Sequence, residues 1–209
     1  RFICMHSIKQ KEYLLWKRKL LSDSGLRVRY DEFWNTTNPH TGKRGLMCRL
    51  ESCVDPFLTD LRSLMYPKLG GFKSGVLDDL EAIHLAVIFM DDGTKCVNKN
   101  CRTTVNWVPT RVECTPYVSA FRFCLQSHGV EGAKQFIGWL DSKFGIHARI
   151  SMIKGSPVVE IGRRVDKEKF VETVRPFMHE TIMYKLEGSF STTIVRRDRL
   201  SEKAPVQSG

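Results

Sequence analysis

Two carboxylates at the end of an apolar run are the residues best placed to do chemistry. Residues 85–90 read LAVIFM, and Asp91, Asp92 and Gly93 follow directly. This pattern predicts a buried helix that ends near the glycine, where helices commonly stop. Carboxylates are unfavourable at the negative end of a helix dipole, so we expect a compensating cation, and Mg²⁺ prefers carboxylate oxygen. The alternative interpretation is an ordinary buried helix with a solvated acidic end.

The composition indicates a globular protein with a polyanionic partner. The chain has 209 residues, of which 42% are hydrophobic and 12 are Phe, enough for one or two domains with a sizeable core. No apolar run approaches the ~20 residues that a membrane span needs, so no membrane association is expected. Lys and Arg number 33 against 23 acids, a net charge of +10, which favours nucleic acid as the partner.

The cysteines favour reduced thiols. The seven cysteines lack CxxC pairs, and although the five-residue spacings Cys48/Cys53 and Cys96/Cys101 allow a zinc site, burial as free thiols is the simpler interpretation. Reduced thiols indicate an intracellular compartment, without distinguishing a nucleus, an organelle or the cytoplasm of a phage-infected cell.

The chain contains an internal repeat. Residues 1–30 are similar to residues 121–150, shifted by 120 positions without a gap. The identical pairs are Cys4/Cys124, Ser7/Ser127, Leu20/Leu140, Ser22/Ser142, Gly25/Gly145 and Arg29/Arg149. Each copy predicts a strand, a helix ended by glycine, two strands and a second helix. The predicted ranges are 2–6, 9–21, 26–34, 46–52 and 56–65 in the first copy, and 120–126, 130–144, 146–153, 158–162 and 167–174 in the second.

The second copy has more sequence in front of it. There we predict a motif helix over 76–92 and a strand-like connection over 94–112. The counterpart of Asp92 in the first copy would lie about 28 residues before Arg1. We therefore expect a truncated first repeat in 1–75, a second repeat in 76–186, and a basic tail in 187–209 that carries Arg196, Arg197, Arg199 and Lys203.

The motif, the duplication and the basic charge together resemble the LAGLIDADG homing endonucleases, in the branch whose motif reads LAxxxMDDG. Segments 11–17 (KEYLLWK), 64–67 (LMYP) and 183–186 (MYKL) agree as well, so the resemblance covers about residues 1–186. It implies an α+β fold of tandem αββαββα repeats with saddle-shaped antiparallel sheets, the first repeat being truncated.

The family packs its two repeats through their motif helices, and each saddle enters a DNA major groove. Close approach of two helices needs small residues, and Ala82 and Ala86 stand one turn apart. The resemblance therefore implies that a second motif helix, with its own acid, packs against residues 80–92. Its source would be an upstream segment, a split partner or another copy of this chain.

The resemblance also assigns site residues. The motif acid that binds the catalytic Mg²⁺ or Mn²⁺ corresponds to Asp92, and Asp91 is either a further ligand or a supporting acid. The family's water-organising glutamine corresponds to Gln126, with His6 at the same place in the first repeat. Gly162 stands where a lysine usually precedes the last helix, and Arg163 or Arg164 could replace it. The residues expected to contact nucleic acid are Arg27, Arg29, Arg102, Thr104, Arg111, Arg122, Arg149, Ser151, Arg163, Arg164 and Lys185.

The function implied is a site-specific double-strand DNA endonuclease, a hydrolase associated with an intron or an intein. The alternative is a non-catalytic, maturase-like protein that binds intron RNA through the same basic saddle and assists splicing. A third reading is a DNA-binding module without activity. An acid before a glycine about 28 residues upstream of Arg1 would favour the enzyme.

Overall fold

The first half of the chain forms a three-stranded antiparallel sheet with two helices, in the order that the sequence predicts. Its elements are β1 (Ile3–Ser7), α1 (Lys11–Asp23), β2 (Val28–Trp34), β3 (Leu46–Ser52) and α2 (Pro56–Met65). The computed structural model describes residues 1–35, 42, 44–67, 70–105 and 108–190, and for 100–105 and 108–114 it describes the backbone alone.

The second half adds a helix and a strand to the same plan. Its elements are α3 (Ala82–Asp92), β4 (Gly93–Val105), β5 (Val108–Cys124), α4 (Gly129–Phe144), β6 (Arg149–Ile153), β7 (Ser156–Ile161) and α5 (Arg164–Val174). Short 3₁₀ segments occur at Ile8–Gln10, Gln126–His128, Arg175–Phe177 and Glu180–Lys185. Within the described ranges, no helix combines the length and the apolar character that crossing a membrane requires.

The two sheets confirm the predicted fold class. The first has the order β1-β3-β2, and the second has β5-β7-β6 with β4 added outside β5. Ile3 pairs with Glu51 in one sheet, and its counterpart Phe123 pairs with Val159 in the other. Among the residues described, the first half has no element equivalent to α3 or β4. The domain bounds drawn from the sequence stay a prediction.

Two predicted elements differ from those observed. The motif helix begins at Ala82 rather than at residue 76, because the backbone N–H of Glu81 donates to Nδ1 of His84 at 2.9 Å and closes the first turn there. Residues 74–79 are turns. The connection predicted over 94–112 is instead two paired antiparallel strands, because β4 pairs with β5 and Val105 stands opposite Val108.

Gly93 ends α3 through a close approach rather than through a left-handed turn. Its φ and ψ are −79° and 148°, an extended conformation that leads directly into β4. A Cβ at this position would lie 2.1 Å from a ring carbon of Phe89 and 2.5 Å from its carbonyl oxygen. A side chain is therefore excluded where the helix turns into the strand.

The apolar face of α3 is buried in the main core. Leu85, Ala86, Phe89 and Met90 are fully buried, and the ring of Phe89 meets that of Phe170 edge-on at 5.0 Å. Because Ala86 belongs to this core, the expectation that Ala82 and Ala86 present a small-residue surface to another helix is wrong. Val87 and Ile88 are half-buried and pack against the edge of the same core, while His84 is exposed and Ile83 half-buried.

Candidate functional site

Asp91, at the end of α3, is held by side chains of the first half. Lys17 on α1 donates from Nζ to both carboxylate oxygens at 2.5 Å, and Tyr13 donates from Oη to Oδ1 at 2.9 Å. His6 on β1 contacts the same oxygen through Nε2 at 3.4 Å. Lys17 is only 7% exposed, so water screens its charge little. These contacts join the two halves of the chain at the first acid of the motif.

The surroundings of Asp91 stabilise its ionised form. Burial raises the pKa of the Asp91 carboxyl, but the hydrogen bond from His6 and the charge of Lys17 outweigh burial and hold this pKa below its ordinary value. Burial lowers the pKa of His6, whereas its contacts with Asp91 and Cys4 raise it, to about 9. His6 is therefore protonated near neutral pH and also donates from Nδ1 to Oε1 of Gln10 at 2.8 Å. A protonated imidazole is a donor rather than a base, and the catalytic role of His6 stays a prediction.

Asp92 has the opposite environment. Its side chain is exposed, and the structure shows no hydrogen bond or ion pair for it within the ranges that are described. Partial burial of the carboxyl and the adjacent charge of Asp91 raise the pKa of Asp92, and the charges of Lys17 and Lys185 counter this in part. Of the two neighbouring acids, one is neutralised by the protein and the other is available to a cation from solvent.

Lys185 closes the same helix end from the segment that follows α5. Its Nζ donates to the carbonyl oxygens of Met90 and Gly93 at 2.8 Å and to that of Phe89 at 3.2 Å. The last carbonyls of a helix lack partners within it and favour a cation. An ammonium has three donors, and these three contacts use all of them. Burial holds the pKa of Lys185 below its ordinary value, and the charges of Asp91 and Asp92 counter this only in part. Its predicted contact with nucleic acid stays a prediction.

Cys4 completes a cluster with two of these residues. One ligand atom each of Cys4, His6 and Asp91 lie within 4.8 Å of one another, the one such group in the described part of the chain. Thiolate, imidazole and carboxylate are ligands that suit zinc. However, the ammonium of Lys17 lies 3.4 Å from Cys4 Sγ as well as 2.5 Å from Asp91. The ammonium of Lys17 therefore already supplies the positive charge that a metal ion would bring to this cluster.

A row of charged residues crosses the second sheet on the face opposite its helices. Glu160 on β7 pairs directly with Arg122 on β5 and with Arg149 on β6. Arg122 Nε donates to Oε2 of Glu160 at 2.7 Å, and Arg149 donates to Oε1 through Nε at 3.0 Å and through Nη2. Burial raises the pKa of Glu160, but the two arginines outweigh it and hold this pKa below its ordinary value. The row lines an open cavity of about 660 Å³.

The motif acid, the duplicated sheets and the charged face agree with a comparison of the sequence with protein families. A model of the LAGLIDADG DNA endonuclease family matches residues 1–167. The chain belongs to this family. The match includes α3 with both acids, both sheets, and the start of α5.

A solved homing endonuclease shares this fold, and two further structures align less closely. The homing endonuclease I-WcaI bound to its DNA recognition sequence aligns with a TM-score of 0.68 and 20% identity, over 90% of this chain and 76% of that one. Full-length DUF199/WhiA from Thermatoga maritima aligns with a TM-score of 0.42 and 12% identity, over 87% of this chain and 50% of that one. The N-terminal LAGLIDADG domain of DUF199/WhiA gives 0.46 and 14%, over 82% and 71%. No curated protein sequence matches this LAGLIDADG chain significantly.

Gln126, the water-organising residue expected for a LAGLIDADG protein, lies at the same end of the second half as Asp92. It is exposed and opens the 3₁₀ segment just after β5. Gly93 pairs with Phe123, so the end of β5 lies beside the end of α3. The role of Gln126 in this LAGLIDADG chain stays a prediction.

The two arginines that could replace the family lysine differ in position. Arg163 lines the cavity on the charged face and donates from Nε to Asp166 at 2.5 Å. Arg164 instead pairs with Glu168 along the outside of α5, at 2.7 Å. The placement favours Arg163 over Arg164 as the replacement.

The other expected nucleic-acid contacts lie on both sheets. Arg27 and Arg29 are exposed, Arg29 donating from Nε to Asp31 at 3.0 Å, and Ser151 is half-buried on β6, two positions from Arg149. Three further residues lie on β4 and β5 with side chains outside the described part: Arg102, Thr104 and Arg111. The basic tail residues from 191 to 209 also lie outside it.

Sequence reasoning missed three residues of this region. Lys17 lies in a run of basic residues, which is typical of a solvated helix face. Tyr13 follows the apolar spacing of α1, which does not reveal that its hydroxyl reaches Asp91. Glu160 had a usable signal, since it is a lone acid in the apolar strand segment Pro157–Ile161.

Proposed function

We propose that this chain is the DNA-binding and metal-binding part of a site-specific endonuclease that cleaves double-stranded DNA with Mg²⁺ or Mn²⁺. The observation that carries the proposal is the contrast between the two motif acids. Asp91 is neutralised by Lys17 and His6, whereas Asp92 is exposed at the end of a buried, capped helix. An acid held rigidly and left available is the arrangement that a catalytic ion requires.

The donors at this helix end suit Mg²⁺. This ion binds through one or two carboxylates and substrate phosphate, and it keeps several waters. Asp92 supplies one carboxylate here, and the second motif helix would supply the other. A bound Mg²⁺ would lower the pKa of a water and stabilise charge on the leaving oxygen. The chain's own residues fix the position of Asp92, because Lys185 holds the last carbonyls of α3 and Lys17 draws Asp91 towards the first half.

The charged face of the second sheet supports duplex DNA as the substrate. Arg122 and Arg149 stand on either side of Glu160 and line an open cavity on this face, and the chain carries a net charge of +10. A two-stranded ribbon fits the major groove of B-DNA. The I-WcaI structure, which has the same fold, is bound to its DNA recognition sequence. Together these observations favour DNA contact through the saddle.

We expect binding of this chain to duplex DNA to depend steeply on salt. Each phosphate that a lysine or arginine neutralises releases a counterion, so several contacts should cost about 10³-fold in affinity between 50 and 200 mM salt. Fluorescence anisotropy with a labelled duplex over this range measures the slope. A flat response would show that the basic face is not the binding face.

A second motif helix is the partner that the fold itself indicates. In the second half, α5 lies against α3 and buries Phe170, Val171 and Val174. Its counterpart α2 has no buried residue, and Leu61 on it is 39% exposed. An apolar groove of about 420 Å³ runs between α2 and the start of β1. The groove occupies the place that α3 fills in the second half, so a helix like α3 is its natural occupant.

A second copy of this chain fits the groove poorly. The apolar face of its own α3 is fully buried, and these residues would have to leave their core to enter another molecule. We therefore propose that a polypeptide segment outside these 209 residues supplies the helix. Its acid would stand beside Asp92 and provide the second carboxylate that cutting both strands needs.

Leu61→Glu tests this partner. The substitution is expected to change the free energy of unfolding of the chain by only about 0.5 kcal/mol, because the position is exposed. In the species that cleaves DNA it would bury a charge in the helix interface, and cleavage should fall at least about tenfold. Val130→Glu, at an exposed position of α4, is the control and should leave both quantities unchanged. A structure of the cleaving species with this groove open, or filled by a helix without an acid near Asp92, would contradict the proposal.

A further inference from the structure

Glu160, the acid in the charged row of the second sheet, is more buried than the members of a typical surface ion pair. The Glu160 side chain is only 5% exposed, and β7, which carries it, is an interior strand of its sheet. Both neighbouring strands place an arginine directly opposite it. A carboxylate in this position can hold two guanidinium groups in fixed orientations, because charge-assisted hydrogen bonds are strong and directional.

The bonds to Glu160 leave the outer edges of both arginines available. A guanidinium has five N–H donors. Arg122 uses Nε, and Arg149 uses Nε and one donor of Nη2. The structure shows no other hydrogen bond of these two side chains to described residues. Arg149 is 73% exposed at its side chain, and Arg122 is 35% exposed. Each can therefore offer two parallel N–H groups to a ligand above the sheet.

The ligand that suits this arrangement is guanine rather than phosphate. Two parallel donors match O6 and N7 of guanine in the major groove, the commonest specific arginine contact. Arginine can also bind a phosphate with two parallel bonds, but the carboxylate of Glu160 lies between the two guanidinium groups and would repel a phosphate. Because both arginines bind one carboxylate, their guanidinium groups lie within about two base-pair steps, at 3.4 Å per step.

We infer that Glu160 is a positioning residue that presents Arg122 and Arg149 to two guanines no more than two base-pair steps apart in the DNA site. This inference rests on the proposed function, since it assumes that the second saddle lies in a major groove. It assigns part of the base preference to a residue that itself touches no base.

Selection from a random duplex library with the full chain tests the inference. The unaltered chain should enrich two guanines at this spacing. Glu160→Gln keeps the shape but loses the charge that orients both arginines, so preference for guanine should fall about tenfold at each position. Its affinity for random duplex DNA should not fall, because a negative charge has been removed near the phosphates. Arg149→Met removes the donors of one arginine and should lose preference at one of the two positions only.

Glu168→Gln is the matched control, because Glu168 also pairs with an arginine but lies on the outside of α5. It should leave the selected sequences unchanged. Full guanine preference in Glu160→Gln would overturn the inference, as would binding by the unaltered chain without guanine enrichment. Failure of the unaltered chain to bind any duplex would instead overturn the proposed function, and the inference with it. Thermal unfolding of each variant checks that the selected pool reflects folded protein.

Discussion

Asp92→Asn should abolish DNA cleavage while leaving DNA binding nearly intact. A catalytic metal ion contributes several kcal/mol of charge stabilisation, so losing its ligand should slow cleavage by about 10³-fold or more. Affinity should stay within about threefold, because contacts with the DNA backbone supply most of it. Cleavage of candidate insertion-site DNA in Mg²⁺, with the second motif helix present, measures the first quantity. Anisotropy without metal measures the second.

Asp91→Asn is the control, because it removes the neighbouring carboxylate. It weakens the contact with Lys17, so it should lower the stability of the fold and reduce cleavage far less than Asp92→Asn does at a temperature where both variants are folded. Removal of the divalent ion by a chelator should reproduce the Asp92→Asn result in the unaltered protein. Full cleavage by Asp92→Asn would show that Asp92 does not bind the catalytic ion. DNA or RNA binding by the unaltered protein with no cleavage at all would instead favour the maturase-like alternative.

Lys17→Met should lower the stability of the fold markedly, because it breaks the ion pair with Asp91. Breaking a buried ion pair by removing one member typically costs 3–5 kcal/mol, because the other charge stays buried. Asp91 is 28% exposed at its side chain and keeps Tyr13 and His6, so we expect about 3 kcal/mol, the low end of that range. Urea unfolding at neutral pH measures the change.

Lys19→Met controls for the loss of a lysine on the same helix. Lys19 pairs with Asp23 at 2.6 Å but is 75% exposed at its side chain, so its removal should cost less than about 0.5 kcal/mol. Combining Lys17→Met with Asp91→Leu removes both charges, and it should recover much of the stability that the single substitution loses. Equal losses of unfolding free energy for Lys17→Met and Lys19→Met would show that the ion pair between Lys17 and Asp91 does not stabilise the packing of the two halves.

The elements were predictable where periodicity and chain breakers agree. The strand Leu46–Ser52 and the helix Pro56–Met65 have the bounds expected from the sequence, since alternation marks the first and a proline opens the second. The pairing of β4 with β5 was not predicted from the sequence. The two strands have similar patterns of polar and apolar residues, so together they resemble one extended segment. The start of α3 was misplaced by six residues, because its first turn is set by a hydrogen bond between Glu81 and His84 that hydropathy does not reveal.

The candidate site was predictable only where one segment carries the signal. The family model that matches residues 1–167 confirms the recognition of the family, whereas the role of Asp92, inferred from the local motif, stays a prediction. The different surroundings of Asp91 and Asp92 could not be predicted from the sequence. Lys17 and Asp91 are 74 positions apart and meet only when the two halves of the chain pack together. The environment of Ala86 could not be predicted either. Its small size indicates a close contact, but does not reveal that this contact lies within the core of the same chain.

The cap on α3 also sets the order in which the site can form during synthesis. Lys185 binds the carbonyl of Gly93 from 92 positions further along the chain. A ribosome adding 5–20 residues per second needs roughly 5–20 s to make that interval. During this time Asp92 has been synthesised, but Lys185, which binds the carbonyls at the end of α3, has not. An incomplete chain therefore carries Asp92 on a helix end that Lys185 does not yet cap, and the surroundings of Asp92 are complete only after residue 185 has been added.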